Sequence, residues 1–378
     1  MQRDEGRFAC ALDAWIASSV GATKPGQLIS SLEQAQWEAL AATFYQAKKK
    51  SAFYARALAD FPMPPRNRAE LARLPLTHPQ DLRKWEAFVC CSLGDIARMV
   101  TLSTSGTTGE PKRLAFTEGD LARTRAFFRW GMQVLLQPGQ TLAVLLPGGD
   151  RPNGVADLLR QALSPLGCRV FWPPSGVAYE KWLTDLGPDV LVAMPSQLRK
   201  LLRVGAIPRL TGVLSSAEWL DPALAAQVSA SFGVSVINHY GLTETGYGFA
   251  VECHAHTGMH IRALDFFVEI VDCIDGHVLP FGRIGELVVT TLHREAMPLI
   301  RYKTGDLTAL LPGPCGCGSP LQRLGPLFGR IEELSETELR AMRECSVRVE
   351  NGLLVSRAQG DCCARVTRRI LPKGGLLR

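Results

Sequence analysis

Between residues 141 and 240 the chain repeats one pattern, a short apolar run followed by an amphipathic stretch, and this alternation constrains the fold more than any other feature. The apolar runs cover 141–147, 168–172, 190–194, 212–215 and 235–238; helical periodicity covers 153–166, 196–204 and 223–232. Strands without a polar face, joined by amphipathic helices, predict an α/β fold in which parallel strands are covered by helices on both faces. Ligands of such sheets sit beyond the carboxyl ends of the strands. From about residue 260 the rhythm changes to extended segments with turns, over 266–271, 286–292, 298–302 and 307–311. This predicts a large amino-terminal domain over 1–329 whose β-rich subdomain spans about 260–329, followed by a small carboxy-terminal piece over 330–378.

Ahead of the alternation stands a run of hydroxyls and glycines: Ser103, Thr104, Ser105, Gly106, Thr107, Thr108, Gly109, Glu110, Pro111 and Lys112. Glycines let backbone N–H groups approach an anion, small hydroxyls add donors, and Lys112 adds a mobile positive charge, so the run reads as a polyphosphate grip. It is not a Walker A loop, which needs four residues between its glycines and a Ser or Thr after the lysine. Here only Thr107 and Thr108 intervene, and Arg113 follows. A strand over 97–102 leads into the run, and Thr117 with Asp120 predicts the N-cap of a helix reaching about residue 136. Residues 28–62 are helical in pattern.

Four further segments extend the grip into a nucleotide site. In His239-Tyr240-Gly241-Leu242-Thr243-Glu244-Thr245, directly after a strand, Tyr240 can stack on a purine, Thr243 can bond a phosphate oxygen and Glu244 can hold Mg²⁺. The Asp306 carboxylate, after a Gly305 turn, can accept hydrogen bonds from ribose hydroxyls. Ser215, Ser216, Ala217 and Glu218 end a strand and can border an adenine, and Arg330 after Gly329 can combine ribose or phosphate binding with a hinge.

In their order and spacing these motifs resemble the acyl-adenylate-forming enzymes, and within them the phenylacetate-CoA ligase family. The resemblance covers roughly residues 50 to 333. It includes Phe53-Tyr54, Leu74-Pro75-Leu76-Thr77 with Asp81-Leu82-Arg83, Ile96-Ala97-Arg98, Gly258-Met259-His260-Ile261, and Gly285-Glu286-Leu287-Val288 through Arg294-Glu295-Ala296-Met297-Pro298-Leu299-Ile300-Arg301-Tyr302. It implies an enzyme that uses Mg-ATP to convert a carboxylic acid, aryl or similar, to an acyl-AMP and then to an acyl-CoA. Catalytic roles fall on Lys112, Thr243, Glu244 and Arg330. Nucleotide binding falls on Ser103 to Gly109, Lys112, Ser216, Ala217, Glu218, His239, Tyr240, Gly241, Thr243, Asp306 and Arg330. Acid-pocket residues are expected in the loops over 148–153, 195–197, 216–218 and 240–246. The family continues past its Gly-Arg hinge in a domain that rotates between half-reactions; here 330–378 reads as a shortened remnant in which Lys373 is the candidate for the adenylating lysine. Two alternatives are a nucleotide- or acyl-adenylate-binding regulator with lost or partner-dependent turnover, and transfer of the acyl group to a protein thiol.

Eleven cysteines is an odd count with no disulfide ladder, which points to reduced thiols, some of them binding metal. Cys253 and His256, with Cys315 and Cys317 some sixty residues on, give three thiolates and an imidazole, the donor set of a closed structural zinc site. His254 and His260 compete with His256 for the fourth position. The formal charge of +6 is spread along the chain and supports no nucleic-acid partner. No apolar run reaches the roughly 18 to 20 residues of a membrane span, and the amino terminus carries no basic n-region with an unbroken apolar core. The cytoplasm is therefore the expected compartment, and a homodimer is compatible with the sequence.

Overall fold

The computed structural model describes residues 7–102, 111–203, 205 and 207–343, and the strands Ser346–Glu350 and Leu353–Arg357. The grip residues Ser103 to Gly109 and Lys373 lie outside the described residues. Four helices come first: α1 (Ala11–Ser19), α2 (Leu28–Lys50), α3 (Ala52–Ala57) and α4 (Arg68–Ala72). The antiparallel pair β1 (Ile96–Leu102) and β2 (Lys112–Thr117) flanks the grip run and is followed by α5 (Glu118–Gly131). The alternation is realised as β3 (Thr141–Val144), α6 (Val155–Leu163), β4 (Arg169–Phe171), α7 (Tyr179–Leu186), β5 (Val190–Ala193), α8 (Pro195–Leu201), β6 (Gly212–Ser215), α9 (Pro222–Phe232) and β7 (Ser235–Tyr240).

The next strands are β8 (Ala250–Glu252), β9 (Met259–Ile261), β10 (Phe266–Val271), β11 (Gly285–Thr291), β12 (Tyr302–Thr308), β13 (Leu310–Leu311) and β14 (Arg323–Leu324). Helix α10 (Glu336–Met342) precedes the hairpin β15–β16, the two strands at 346–350 and 353–357. One sheet has the order β13-β14-β9-β8-β7-β6-β5-β3-β4. Its β4-β3-β5-β6-β7 part is parallel, and β8, β9, β14 and β13 extend it antiparallel. A second, antiparallel sheet is β10-β11-β12. The β-rich region is thus shared: β9, β13 and β14 belong to the large sheet and 266–308 to the small one.

Period-two alternation explains why β5 reads as wholly apolar. Val190 and Val192 join the core under α5 and α6, while Leu191 and Ala193 join a separate core under α7, α8 and α9. Among the described residues no helix is long and apolar enough to cross a membrane.

Helix α5 is set by the expected capping box: Thr117 Oγ1 accepts the Asp120 N–H, and Asp120 Oδ2 accepts the Thr117 N–H, both at 3.1 Å. The same buried carboxylate accepts the N–H groups of Glu295 at 2.8 Å and Ala296 at 3.1 Å, so it fixes α5 against the chain entering β12. Asp120→Ala removes the carboxylate half of the capping box and takes the acceptor from three backbone donors, those of Thr117, Glu295 and Ala296; a loss of about 3 kcal/mol is expected in chemical denaturation.

Candidate active site

One cavity lies at the carboxyl ends of β5, β6 and β7, a second runs along β7, and the two share a wall that includes Ala217, His239, Gly241, Leu242 and Arg330. The first, about 820 Å³, is divided by chemistry. Phe127, Phe128, Met132, Leu159, Val192 and Leu214 line an apolar end; Lys112, Thr243, Glu244, Tyr302, Thr304 and Arg330 line a polar one. The second, about 1000 Å³, runs along Glu218, Trp219, Tyr240, Glu252, His256 and Asp306. Of the four loops expected to form an acid pocket, those at 216–218 and 240–246 contribute Ser216, Ala217 and Gly241 to Glu244 to the first cavity, whereas 148–153 and 195–197 do not line it and the inward faces of α5 and α6 do. That signal was present in the sequence as the apolar stripe of each helix.

The turn after β7 sets the polar end. Leu242 O accepts the N–H groups of Thr245 at 3.1 Å and Tyr247 at 2.8 Å, turning the chain tightly enough to bring Thr243 and Glu244 to the cavity. Tyr302 donates to Glu244 Oε1 at 3.0 Å, and burial together with the Glu244 charge raises its phenol far above the ordinary value, keeping it a donor. Tyr302 acts on the site through this bond, a role its place in the sequence did not reveal. Lys112 opens β2 and lines the same end.

Asp306 is the meeting point of the two sheets. It lies inside β12 rather than after a free turn: Gly305, at φ +79°, is accommodated within the strand. Tyr240 donates to its Oδ2 at 2.6 Å, and Arg330 Nη1 donates to Oδ1 at 3.1 Å. An antiparallel bridge between Asp306 and Arg330 fastens the backbone there as well. Burial raises the Asp306 carboxyl, with Tyr240 and Arg330 opposing; burial and the Asp306 charge hold the Tyr240 phenol well above its usual range. The Tyr240 ring packs edge-on against Phe249, with centroids 5.6 Å apart.

Of the other expected residues, Ser216 Oγ shares a 2.9 Å hydrogen bond with His239 Nδ1, and burial lowers His239 to about 4, so the imidazole is neutral at physiological pH. Ala217 adopts φ +69° on the shared wall. Both Glu218 oxygens hold Ser196, from its N–H and its Oγ, each at 2.9 Å, which ties the carboxylate to α8.

A separate cluster lies at the far side of β8 and β9. One ligand atom each from Cys253, His260, Cys315 and Cys317 falls within 4.8 Å of the others. Cys253 Sγ is 3.6 Å from Cys315 Sγ, and Cys317 Sγ is 3.6 Å from His260 Nε2. His260, not His256, is the imidazole here. His256 sits in a turn at φ +49° with its Nδ1 3.2 Å from Glu252, whereas His260 on β9 is carried to the thiols by strand pairing. Hydrogen bonding among the thiols pushes Cys253 up and Cys315 far down. His260 rises to about 9, because bonds to Cys315 and Cys317 outweigh the lowering effect of burial.

The AMP-binding enzyme family matches residues 95–293, a span that includes β2, the parallel strands and the Glu244 turn. Phenylacetate-coenzyme A ligase of Thermus thermophilus is 32% identical over 339 residues, covering 82% of this chain and 72% of the relative. The ligases of the same name from Pseudomonas putida and Escherichia coli are 32% and 30% identical, and the chain covers 62% and 63% of them. The chain therefore spans somewhat less than two thirds of the length of these two relatives. Among solved structures, an open conformation of 2-hydroxyisobutyryl-CoA ligase in complex with 2-HIB-AMP and CoA has a TM-score of 0.71 at 18% identity, covering 90% of this chain and 85% of that one. This likeness concerns the fold. The chain belongs to the phenylacetate-coenzyme A ligase family of AMP-binding enzymes.

Gly241 tests the turn. A Cβ there would lie 1.9 Å from Tyr247 O, so Gly241→Ala must open the loop that presents Thr243 and Glu244. A stability loss of about 2 kcal/mol or more is expected, measured by chemical denaturation.

Proposed function

We propose that the chain is an ATP-dependent acid-CoA ligase that forms an acyl-AMP from a carboxylic acid, aryl or similar, and passes the acyl group to coenzyme A. The observation that carries this reading is the two-ended first cavity: an apolar chamber joined to a polar mouth that contains Lys112, Thr243, Glu244 and Arg330. An acid with its apolar body in the chamber would direct its carboxylate toward that mouth. A carboxylate oxygen then attacks the α-phosphorus of ATP, the bond to the bridging oxygen breaks, and pyrophosphate leaves with the electron pair. In the second step the thiolate of coenzyme A attacks the acyl carbon and AMP leaves.

Little covalent work is asked of the protein, which must align two mutually repelling anions and neutralise charge as it develops. Lys112 and Thr243, with the Ser103 to Gly109 run, would hold phosphate oxygens. Asp306 retains lone pairs for ribose hydroxyls beyond those used by Tyr240 and Arg330. Tyr240, Ser216, Ala217, Glu218, His239 and Gly241 would border the adenosine. Glu244, a hard oxygen donor on the cavity wall, suits Mg²⁺, which when bound would offset phosphate charge. Arg330 with Gly329 would be the pivot between 1–329 and the carboxy-terminal 330–378.

The Cys253, His260, Cys315 and Cys317 cluster belongs to the same reading as a structural zinc site. With Zn–S of about 2.3 Å and Zn–N of about 2.05 Å, a regular tetrahedron has S–S and S–N edges of about 3.8 and 3.6 Å. The Cys253–Cys315 and Cys317–His260 separations are 3.6 Å each, and all four ligand atoms lie within 4.8 Å of one another.

A carboxylate panel with Mg-ATP and coenzyme A, read by pyrophosphate release and by mass spectrometry of the thioester, tests the activity. Acid-dependent pyrophosphate together with acyl-CoA is expected, with apolar acids best. ATP binding with no pyrophosphate from any acid would contradict it.

A further inference from the structure

The thiol-rich cluster is joined to the amino-terminal helix by a buried carboxylate that takes no part in the candidate active site. Asp13 lies in the first turn of α1 and is 1% exposed. Its Oδ1 accepts from Ser319 Oγ at 2.7 Å and from Cys10 Sγ at 3.3 Å. Ser319 is fully buried; its hydroxyl accepts the Leu321 N–H at 3.2 Å, and its carbonyl accepts the Cys315 N–H at 3.0 Å. Gly318, at φ +95°, donates its N–H to Cys315 O at 2.9 Å. These bonds close a tight loop, so that Cys315 and Cys317 face one point.

The chain just ahead of α1 also lies close to this loop. A Cβ added at Gly318 would meet that of Ala9, just ahead of α1, at 3.6 Å. A carboxylate is costly to bury unless its donors repay the lost hydration, and the donors here include Ser319, Cys10 and the Ala9 backbone. Asp13 and Ser319 stand 306 positions apart, so their bond is tertiary and connects the start of the described chain to the metal-binding loop. Beneath the loop the buried Arg323 guanidinium donates to Thr257 O at 2.5 Å and to Gly313 O and Pro314 O at 3.1 Å. Arg323 reaches the cluster through Thr257, whose Oγ1 accepts from Arg323 Nη1 at 3.1 Å and lies 3.6 Å from Cys315 Sγ. Metal-ligating groups elsewhere depend on such outer contacts for their orientation.

We propose that Asp13 is a positioning residue of the zinc site: through Ser319 it holds the Cys315–Cys317 loop in ligating geometry, so that metal binding and the docking of α1 form one event. This rests on the reading of the cluster as a zinc site. The full chain is purified, its zinc content measured by plasma mass spectrometry, and its zinc affinity measured by competition with a chromophoric chelator. Stoichiometric zinc is expected in the wild type. Ser319→Ala and Asp13→Asn should weaken zinc affinity about 10- to 100-fold with the circular dichroism spectrum unchanged. In the cobalt-substituted chain Ser319→Ala should also shift the thiolate-to-metal absorption, which a structural role remote from the metal would not do. If Asp13→Asn does not fold, Ser319→Ala decides alone. Zinc affinities equal to the wild type in the folded variants overturn the proposal. A wild-type chain that binds no zinc, or that keeps it after Cys315→Ser and Cys317→Ser are combined, overturns the reading of the cluster instead.

Discussion

Asp306 accepts hydrogen bonds from two residues that reach it from different directions, Tyr240 at the end of the parallel strands and Arg330 at the start of the carboxy-terminal segment. Through them the large sheet, the small sheet and the post-β12 chain meet at one buried carboxylate. The position has an electrostatic cost. Burial raises the carboxyl, and the partners that keep it an acceptor are a phenol held in its neutral form and a guanidinium. Removing either partner would leave a buried acceptor under-satisfied at the wall common to both cavities. Tyr302 and Glu244 repeat the arrangement with each partner four residues along the chain, a neutral phenol on a carboxylate, so the polar end of the site is ordered before any ligand arrives.

This preorganisation depends on backbone devices that lie outside the cavity. The turn from Gly241 to Tyr247 presents Thr243 and Glu244 only because Gly241 lets the chain pass close to Tyr247 O. Asp120 locks α5, whose inward face forms the apolar chamber, to the segment entering β12. The two ends of the first cavity are therefore held by different parts of the fold: the chamber by helix capping, the mouth by hydrogen bonds between sheets.

The parallel core was legible in the sequence because strands buried on both faces lose their polar alternation, as Val190 to Ala193 illustrates. The capping box at Thr117 and Asp120 was legible for the same kind of local reason. What the sequence concealed was tertiary. Gly305-Asp306 looked like a turn because a glycine at positive φ within a strand has no local signature. Loops at 216–218 and 240–246 supply part of the first cavity's wall, but for the part supplied by α5 and α6 the sequence shows only apolar stripes, because helix faces become walls only once helices dock. His256 stands three residues from Cys253 and so looks the nearer partner in the sequence. The spacing of ligands along a chain matters only within one loop, and here β9 carries His260 to thiols from another segment while Glu252 engages His256. Asp13, most distant in sequence from the cluster it borders, had no signal at all.

The central claim is that the junction at Asp306 is the core of a nucleotide site. Isothermal titration of Mg-ATP into the wild-type chain and into Asp306→Asn measures it directly. The account predicts binding by the wild type and an affinity at least ~10-fold lower in the variant, since charged hydrogen bonds contribute about 1.5–3 kcal/mol each. Equal affinity in two folded proteins, or no binding by the wild type, would contradict it.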